Sequence, residues 1–294
     1  MPRNRGARAC GPDMATVATP TDTRTAEQRA ALGPARVAAD IWLLAQRNLQ
    51  RVVRSTGLIV FSTIQPLMQL VLFAYVFTAV ATIGPGLDYR DFVVPAVLVQ
   101  SVAFASMGSG VGIAYDLESG MIDRFRVLPI ARSAFLVGRT VSDSLRLGIQ
   151  AVMLVLAALV IGFDFRTGVA GALGLVAVIV LFGVALSAFS GYVGLRVADP
   201  EAVQSALFIP VLPLTFTSSA FAPIDRLPDW MQTVARWNPI TAAIDSARGL
   251  SLGDDVLFRV SGIHLGTALW HFAVWWLVIV GLFTTLAVRR YRRG

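Results

Sequence analysis

The sequence predicts an all-α polytopic membrane protein of six spans. Three observations carry this. Mean hydropathy is +0.67. The 294 residues are 55% hydrophobic and only 15% charged, where a soluble domain carries about a quarter charged residues. The apolar residues also fall into blocks long enough to cross hydrocarbon rather than being scattered.

Residues 1–34 are rich in Ala, Thr, Pro and Arg without periodicity and read as a disordered cytosolic tail. Cys10, the single cysteine, follows no apolar stretch, so nothing here resembles a cleavable signal or a lipid-attachment site. Residues 35–55 change character. Ile41, Leu44, Ala45, Leu49 and Val52 share one helical face, and Asp40, Arg47, Arg51 and Arg54 the other. Such a helix lies in the membrane interface, as an anchor or as an elbow that also touches a cytosolic partner.

Residues 56–294 form the membrane domain, with uncharged blocks at 57–87, 92–115, 147–163, 167–195, 202–224 and 260–288. Pro66 marks a kink in the first, and Pro210 and Pro213 interrupt the fifth. The third starts early, with Asp143 and Arg146 near the interface. Between the second and third lies an island of charge, residues 116–132, holding Asp116, Glu118, Asp123, Arg124, Arg126 and Arg132. A charge at the centre of a bilayer costs at least ~3 kcal/mol, so this island must protrude into water.

Arginines cluster in the tail, in the island and at the C-terminus (Arg289, Arg290, Arg292, Arg293). The positive-inside rule places all three, and both termini, in the cytosol. The long connection 222–250 then faces outward. In it Trp230, Val234 and Trp237 share a helical face, as in an interfacial aromatic belt. Asn238 followed by Pro239 is an N-cap and first-turn pair for a second short helix. Two short helices therefore dip into the outer leaflet before the last span.

Every one of the 25 basic residues is Arg. A phosphate-binding G-x-x-x-x-G-K-[ST] loop requires Lys, so this chain holds none, and any ATP it uses is hydrolysed elsewhere. The net charge of +7 reflects arginines beside spans rather than a nucleic-acid surface. The centres of the spans carry no Asp or Glu, which argues against a proton- or sodium-coupled carrier. Ser109 in the second block and His271 in the sixth form the one conceivable intramembrane dyad. However, Ser106, Gly108, Gly110 and Gly112 read far better as small residues that let helices pack closely. The two histidines have no Cys or carboxylate in the spans to complete a metal site. A membrane structural or assembly factor is a further class, distinguished by the lack of coupled ATPase turnover.

Three runs carry a resemblance: DLESGMIDRFRVLPIAR in the island, FAPIDRLPDWMQ after the fifth block, and WNPITAAIDSARGL from Trp237. In this order, within six spans, they resemble the permease subunit of ABC type-2 exporters, and most of all the daunorubicin-resistance type of actinobacteria. The resemblance implies a non-enzymatic half-transporter in a bacterial plasma (inner) membrane. It would pair with a second permease, as homodimer or heterodimer, above two cytosolic ABC ATP-binding subunits that bind ATP and magnesium. It places Glu118, Asp123, Arg124, Arg126 and Arg132 at the ATPase contact, with the 35–55 helix alongside. It makes the outer helices, with Trp230, Trp237, Asn238, Pro239 and Arg248, re-entrant. The substrate path would be walled by Gln65, Gln69, Phe73, Phe77, Gln100, Phe208, Phe216 and Thr217. A hydrophobic or amphiphilic drug or lipid suits this lining, and a glycan is the alternative cargo.

Overall fold

The computed structural model describes residues 56–78, 87–120 and 132–293. The expected tail and interfacial helix, residues 1–55, lie outside the described residues, as do Asp123, Arg124 and Arg126. The described chain is helical throughout, without a β-sheet. Its α-helices are α1 (Thr56–Val71), α2 (Tyr89–Glu118), α3 (Arg132–Val160), α4 (Gly168–Val197), α5 (Pro200–Phe216), α6 (Asp229–Arg236), α7 (Pro239–Leu252), α8 (Asp254–Ser261) and α9 (Leu265–Arg293).

Four of these, α2, α3, α4 and α9, are long and apolar enough to cross a membrane. α2 is the central one. Its 30 residues span ~45 Å, and residues Phe92–Ala103 are buried without a break on every face. A helix apolar all round must be enclosed by others: α4 packs along it, and α1, α3, α5 and α7 flank it. α3 and α9, by contrast, present rows such as Leu145, Ile149, Val152, Leu156 and Leu277, Val278, Leu282 outward. In a membrane protein those rows are the lipid-facing surface.

α1 holds Pro66 and passes at Leu72 into a π-helical turn, Leu72–Phe77. The wider turn rotates Phe73 onto the core and leaves Phe77 41% exposed. α5 begins at a strong cap, where the Asp199 carboxylate accepts from Glu201 N (2.9 Å) and Ala202 N (3.0 Å) ahead of Pro200. The apolar block at 202–224 predicts a longer helix than the one that forms. α5 runs through Pro210 and Pro213, which remove backbone donors from its second half, and stops at Phe216. Ser218, Ser219 and Ala220 then turn inward and are fully covered.

The sixth block also differs from its expected 260–288. Gly262 adopts φ +69°, a left-handed stop that ends α8, and α9 starts three residues later. Asp254 on α8 caps α9, accepting from Leu265 N and facing His264 Nδ1 at 2.8 Å. These bonds, the amide above all, hold the Asp254 carboxyl below its ordinary range. The cap is therefore intact above the usual carboxylate pKa and is lost only as pH falls through the lowered folded value. In Asp254→Ala we expect faster hydrogen exchange at the Leu265 amide at neutral pH.

Candidate functional site

Three polar clusters interrupt the apolar fold, and each sits where helices must hold a fixed relation. The first lies at the α2–α3 junction. Asp116 and Glu118 end α2, and α3 returns antiparallel from Arg132, so residues along the two helices meet in ladder fashion. Arg146 Nη2 donates to Ala105 O (2.9 Å), Ser109 Oγ to the Asp143 carboxylate, and Arg139 Nη2 to Ser109 O (3.1 Å). The last rung is the ion pair of Arg139 Nη1 with Asp116 Oδ2 at 2.6 Å. Gly112 leaves space for it, since a Cβ there would fall 2.2 Å from Arg139 Nη2. Half-buried arginines on helix carbonyls make charge-assisted hydrogen bonds that strengthen as water is excluded.

The second cluster faces outward along α1, α2 and α5. Gln69 Nε2 donates to Gln100 Oε1 at 3.1 Å, an amide pair that bridges α1 and the buried face of α2. Around it runs a row of rings. Phe77 stacks on Phe73 (4.7 Å between centroids), Phe73 lies 5.2 Å from Phe221, and Phe221 lies 5.6 Å from Phe216. Phe208 approaches Phe104 of α2 at 5.9 Å. The outer edge of this face is open: Gln65 is exposed, and Met68, Tyr75, Phe77, Ile209 and Phe216 present large apolar surface. Thr217 turns its hydroxyl to Pro213 O and accepts from Asn238 Nδ2 at 3.4 Å. Of the residues expected on the path, the structure joins Gln69 to Gln100, and Phe73, Phe77 and Phe216 through Phe221. Phe221 was not among the residues expected on the path; the fifth block, 202–224, put it inside a span, whereas it lies in the connection after α5.

The third cluster is at the opposite end of α2 from the junction. Arg248, on α7, is 1% exposed and is the largest fully buried side chain. Its Nε donates to Phe92 O (3.0 Å), Nη2 to Ser219 O (2.7 Å), and Nη1 to Ser219 Oγ (3.2 Å) and Asp245 Oδ1 (3.3 Å). The guanidinium also lies 3.7 Å from the Phe92 ring centroid. Asp245 Oδ1 accepts in addition from Ser219 Oγ and Ser261 Oγ, both at 3.1 Å. One ion pair thus ties α2, the loop after α5, α7 and the end of α8. Sequence reading named Arg248 but not Asp245, Ser219 or Ser261; the i, i+3 spacing of Asp245 and Arg248 was the available signal. Around the same helices, Asn238 caps α7 by accepting from Ile240 N (2.8 Å) ahead of Pro239. Trp230 and Trp237 of the α6 segment stand 66% and 72% exposed.

The Ser109–His271 dyad does not form. Ser109 is engaged by Asp143, in a cavity it shares with Thr284 of α9. His271 lies thirteen residues earlier on α9, ~20 Å away along the helix, beside Trp237 and a cavity of about 250 Å³ lined by Arg236, Thr241 and Asp245. A nucleophile and base must be within hydrogen-bond reach. Among the described residues no group of His, Cys, Asp and Glu is arranged to hold a metal ion. Of the charged island, Glu118 is exposed at the end of α2 and Arg132 opens α3.

The ABC-2 type transporter family model matches residues 39–252. Curated relatives agree. The chain is 30% identical to the daunorubicin resistance ABC transporter permease protein DrrB1 of Streptomyces coeruleorubidus, over 78% of this chain and 77% of the relative. It is 24% identical to the probable doxorubicin resistance ABC transporter permease protein DrrC of Mycobacterium tuberculosis, over 78% and 83%. It is 25% identical to the probable multidrug ABC transporter permease YbhR of Escherichia coli, over 58% and 46%. With four long apolar helices around a buried α2 and a permease match over most of its length, the chain is a multi-pass membrane subunit belonging to the ABC-2 type transporter family.

Proposed function

We propose that the chain is the membrane half of an ATP-driven exporter of hydrophobic or amphiphilic molecules, drug or lipid. The observation that carries this is the open face of α1 and α5. It is a ring-lined, amide-floored surface whose exposed Met68, Tyr75, Phe77, Ile209 and Phe216 need a partner other than water. Two copies set face to face would enclose it as a path, with α1 and α5 serving as the first and fifth of six crossings. α6 and α7 would re-enter the outer leaflet beneath their tryptophans. The relatives named for daunorubicin and doxorubicin resistance support a drug or drug-like cargo.

Energy enters from outside the chain in this reading. Two cytosolic ABC subunits bind ATP and magnesium, and residues 116–132 seat in their grooves. The membrane is the bacterial plasma membrane, with both termini on the ATPase side. Arg124→Glu with Arg126→Glu is the direct test. Reversing two charges at a contact that depends on charge complementarity is expected to lower co-purification of the ATP-binding subunit at least tenfold, roughly the effect of ~1.4 kcal/mol or more. Assembly and substrate-stimulated ATPase activity equal to the unmodified complex would remove the island from the contact.

A further inference from the structure

We propose that Arg139 is a two-position latch that transmits motion of the coupling segment into α2, a role that rests on the reading of residues 116–132 as the ATPase contact. The guanidinium stands between two carboxylates. It holds Asp116 Oδ2 at 2.6 Å, on the last turn of α2, while Asp143 Oδ2 lies 3.9 Å from its Nε, one turn along its own helix. All three side chains are largely shielded from solvent. The present position is incomplete. Nε is buried and has no hydrogen-bond partner among the described residues. A shielded arginine donor left unmade is costly, which favours a second arrangement that supplies its acceptor.

Room for that arrangement exists. A cavity of about 60 Å³ adjoins Arg139 and Asp143 and is walled by Thr140, Ser187 of α4 and Thr284 of α9. The Ser187 hydroxyl, itself buried, likewise lacks a partner among the described residues. In the observed state α2 and α3 are locked at their junction end. If the segment between them is displaced, Asp116 at its edge moves with it. Arg139 then turns to Asp143, where Nε gains its acceptor, and Ser109 Oγ is released from that carboxylate. The exchange unlocks the last turn of α2 from α3 while Arg146, on Ala105 O, keeps the next rung. A discrete choice between two acceptors is the bistable element that turns a small displacement into a defined change of state.

A static brace and a latch predict different variants. Asp143→Asn keeps the Asp116 pair and an acceptor for Ser109 Oγ but removes the charge of the second position. Exchanging the charges, Asp116→Arg with Arg139→Asp, restores the first position. It forbids the second, because Asp at 139 would face Asp143. The experiment uses the complete complex with its ATP-binding subunits in proteoliposomes, with daunorubicin as probe, and reads drug transported per ATP hydrolysed together with the thermal unfolding midpoint. For the latch, Asp143→Asn and Arg139→Ala each lower transport per ATP about fivefold or more. The exchanged pair recovers part of the unfolding midpoint lost in Arg139→Ala but not the transport. Wild-type transport in Asp143→Asn, or recovery of transport in the exchanged pair, overturns the latch and leaves a brace. If Arg139→Ala does not accumulate, Asp143→Asn and the exchanged pair decide. If the unmodified complex hydrolyses ATP without moving any amphiphile, the exporter reading falls and the latch with it. If it transports and all variants match it, the latch alone falls.

Discussion

Arg248→Ala is expected to abolish accumulation of the folded protein. The guanidinium satisfies four acceptors contributed by α2, the loop after α5 and α7. Its removal strands the Asp245 carboxylate, which is 2% exposed, takes an additional donor from the Phe92 carbonyl and removes the arginine donor of the Ser219 carbonyl. Breaking a buried ion pair on one side costs roughly 3–5 kcal/mol, and the bond lost at Ser219 O adds ~1 kcal/mol or more. The sum rivals the whole stability of a typical domain. Arg248→Lys is expected to fail almost as badly, because one ammonium cannot reach acceptors arranged around a planar fork. Asp245→Asn keeps acceptors for Ser219 and Ser261 and should cost less than Arg248→Ala. Fluorescence-detected size exclusion of the detergent-extracted protein checks the order. A monodisperse Arg248→Ala peak at wild-type yield would show that the cluster does not hold α7 to α2.

That cluster also shows where sequence reading stops. The apolar blocks are visible because a membrane helix must be apolar over some twenty residues, whatever it packs against; α2, α3, α4 and α9 follow from that alone. The Asn238–Pro239 start of α7 is equally local, a cap and its first turn. Arg248 is different. It bonds partners 29 and 156 positions away, and nothing local separates an arginine that caps a helix against solvent from one that anchors a core. The end of α8 at Gly262 was hidden for a related reason. The block from 260 to 288 is uncharged on both sides of the break, and only the left-handed glycine and the Asp254 cap divide it. Of the candidate path, Gln69, Gln100, Phe73 and Phe77 were expected from the resemblance. The ring that joins them to Phe216, Phe221, follows from the inward turn at Ser218–Ala220, which is set by Arg248.

Gly110→Ala is expected to separate the two helices on which the fold is built. Along the contact of α2 with α4 the backbones touch. A Cβ on Gly110 would lie 2.3 Å from Ser190 O, and one on Gly194 would lie 2.4 Å from Gly110 O. The obstacle in both cases is main chain, which cannot rotate aside as a side chain would. The Ser190 hydroxyl is held in the same crevice, accepting from Gly110 N (3.1 Å) and donating to Ser106 O (2.9 Å). Association of membrane helices rests on such small-residue approach, because lipid offers no hydrophobic penalty for separation. Overpacking in a core costs about 1–3 kcal/mol, and an unyielding backbone contact puts Gly110→Ala at the upper end, ~3 kcal/mol. Two controls separate sterics from the loss of glycine as such. Gly108 lies on the same helix, but a Cβ there would stand 3.6 Å from Arg146, an ordinary contact. Gly108→Ala should therefore be neutral or mildly stabilising, since Ala favours the helix by up to ~1 kcal/mol. Ser190→Ala removes the hydroxyl without adding bulk and should cost ~1 kcal/mol. Thermal midpoints in one detergent would rank Gly108→Ala highest, Ser190→Ala next and Gly110→Ala lowest. Equal midpoints for the two glycine variants would mean that α2 and α4 do not approach this closely.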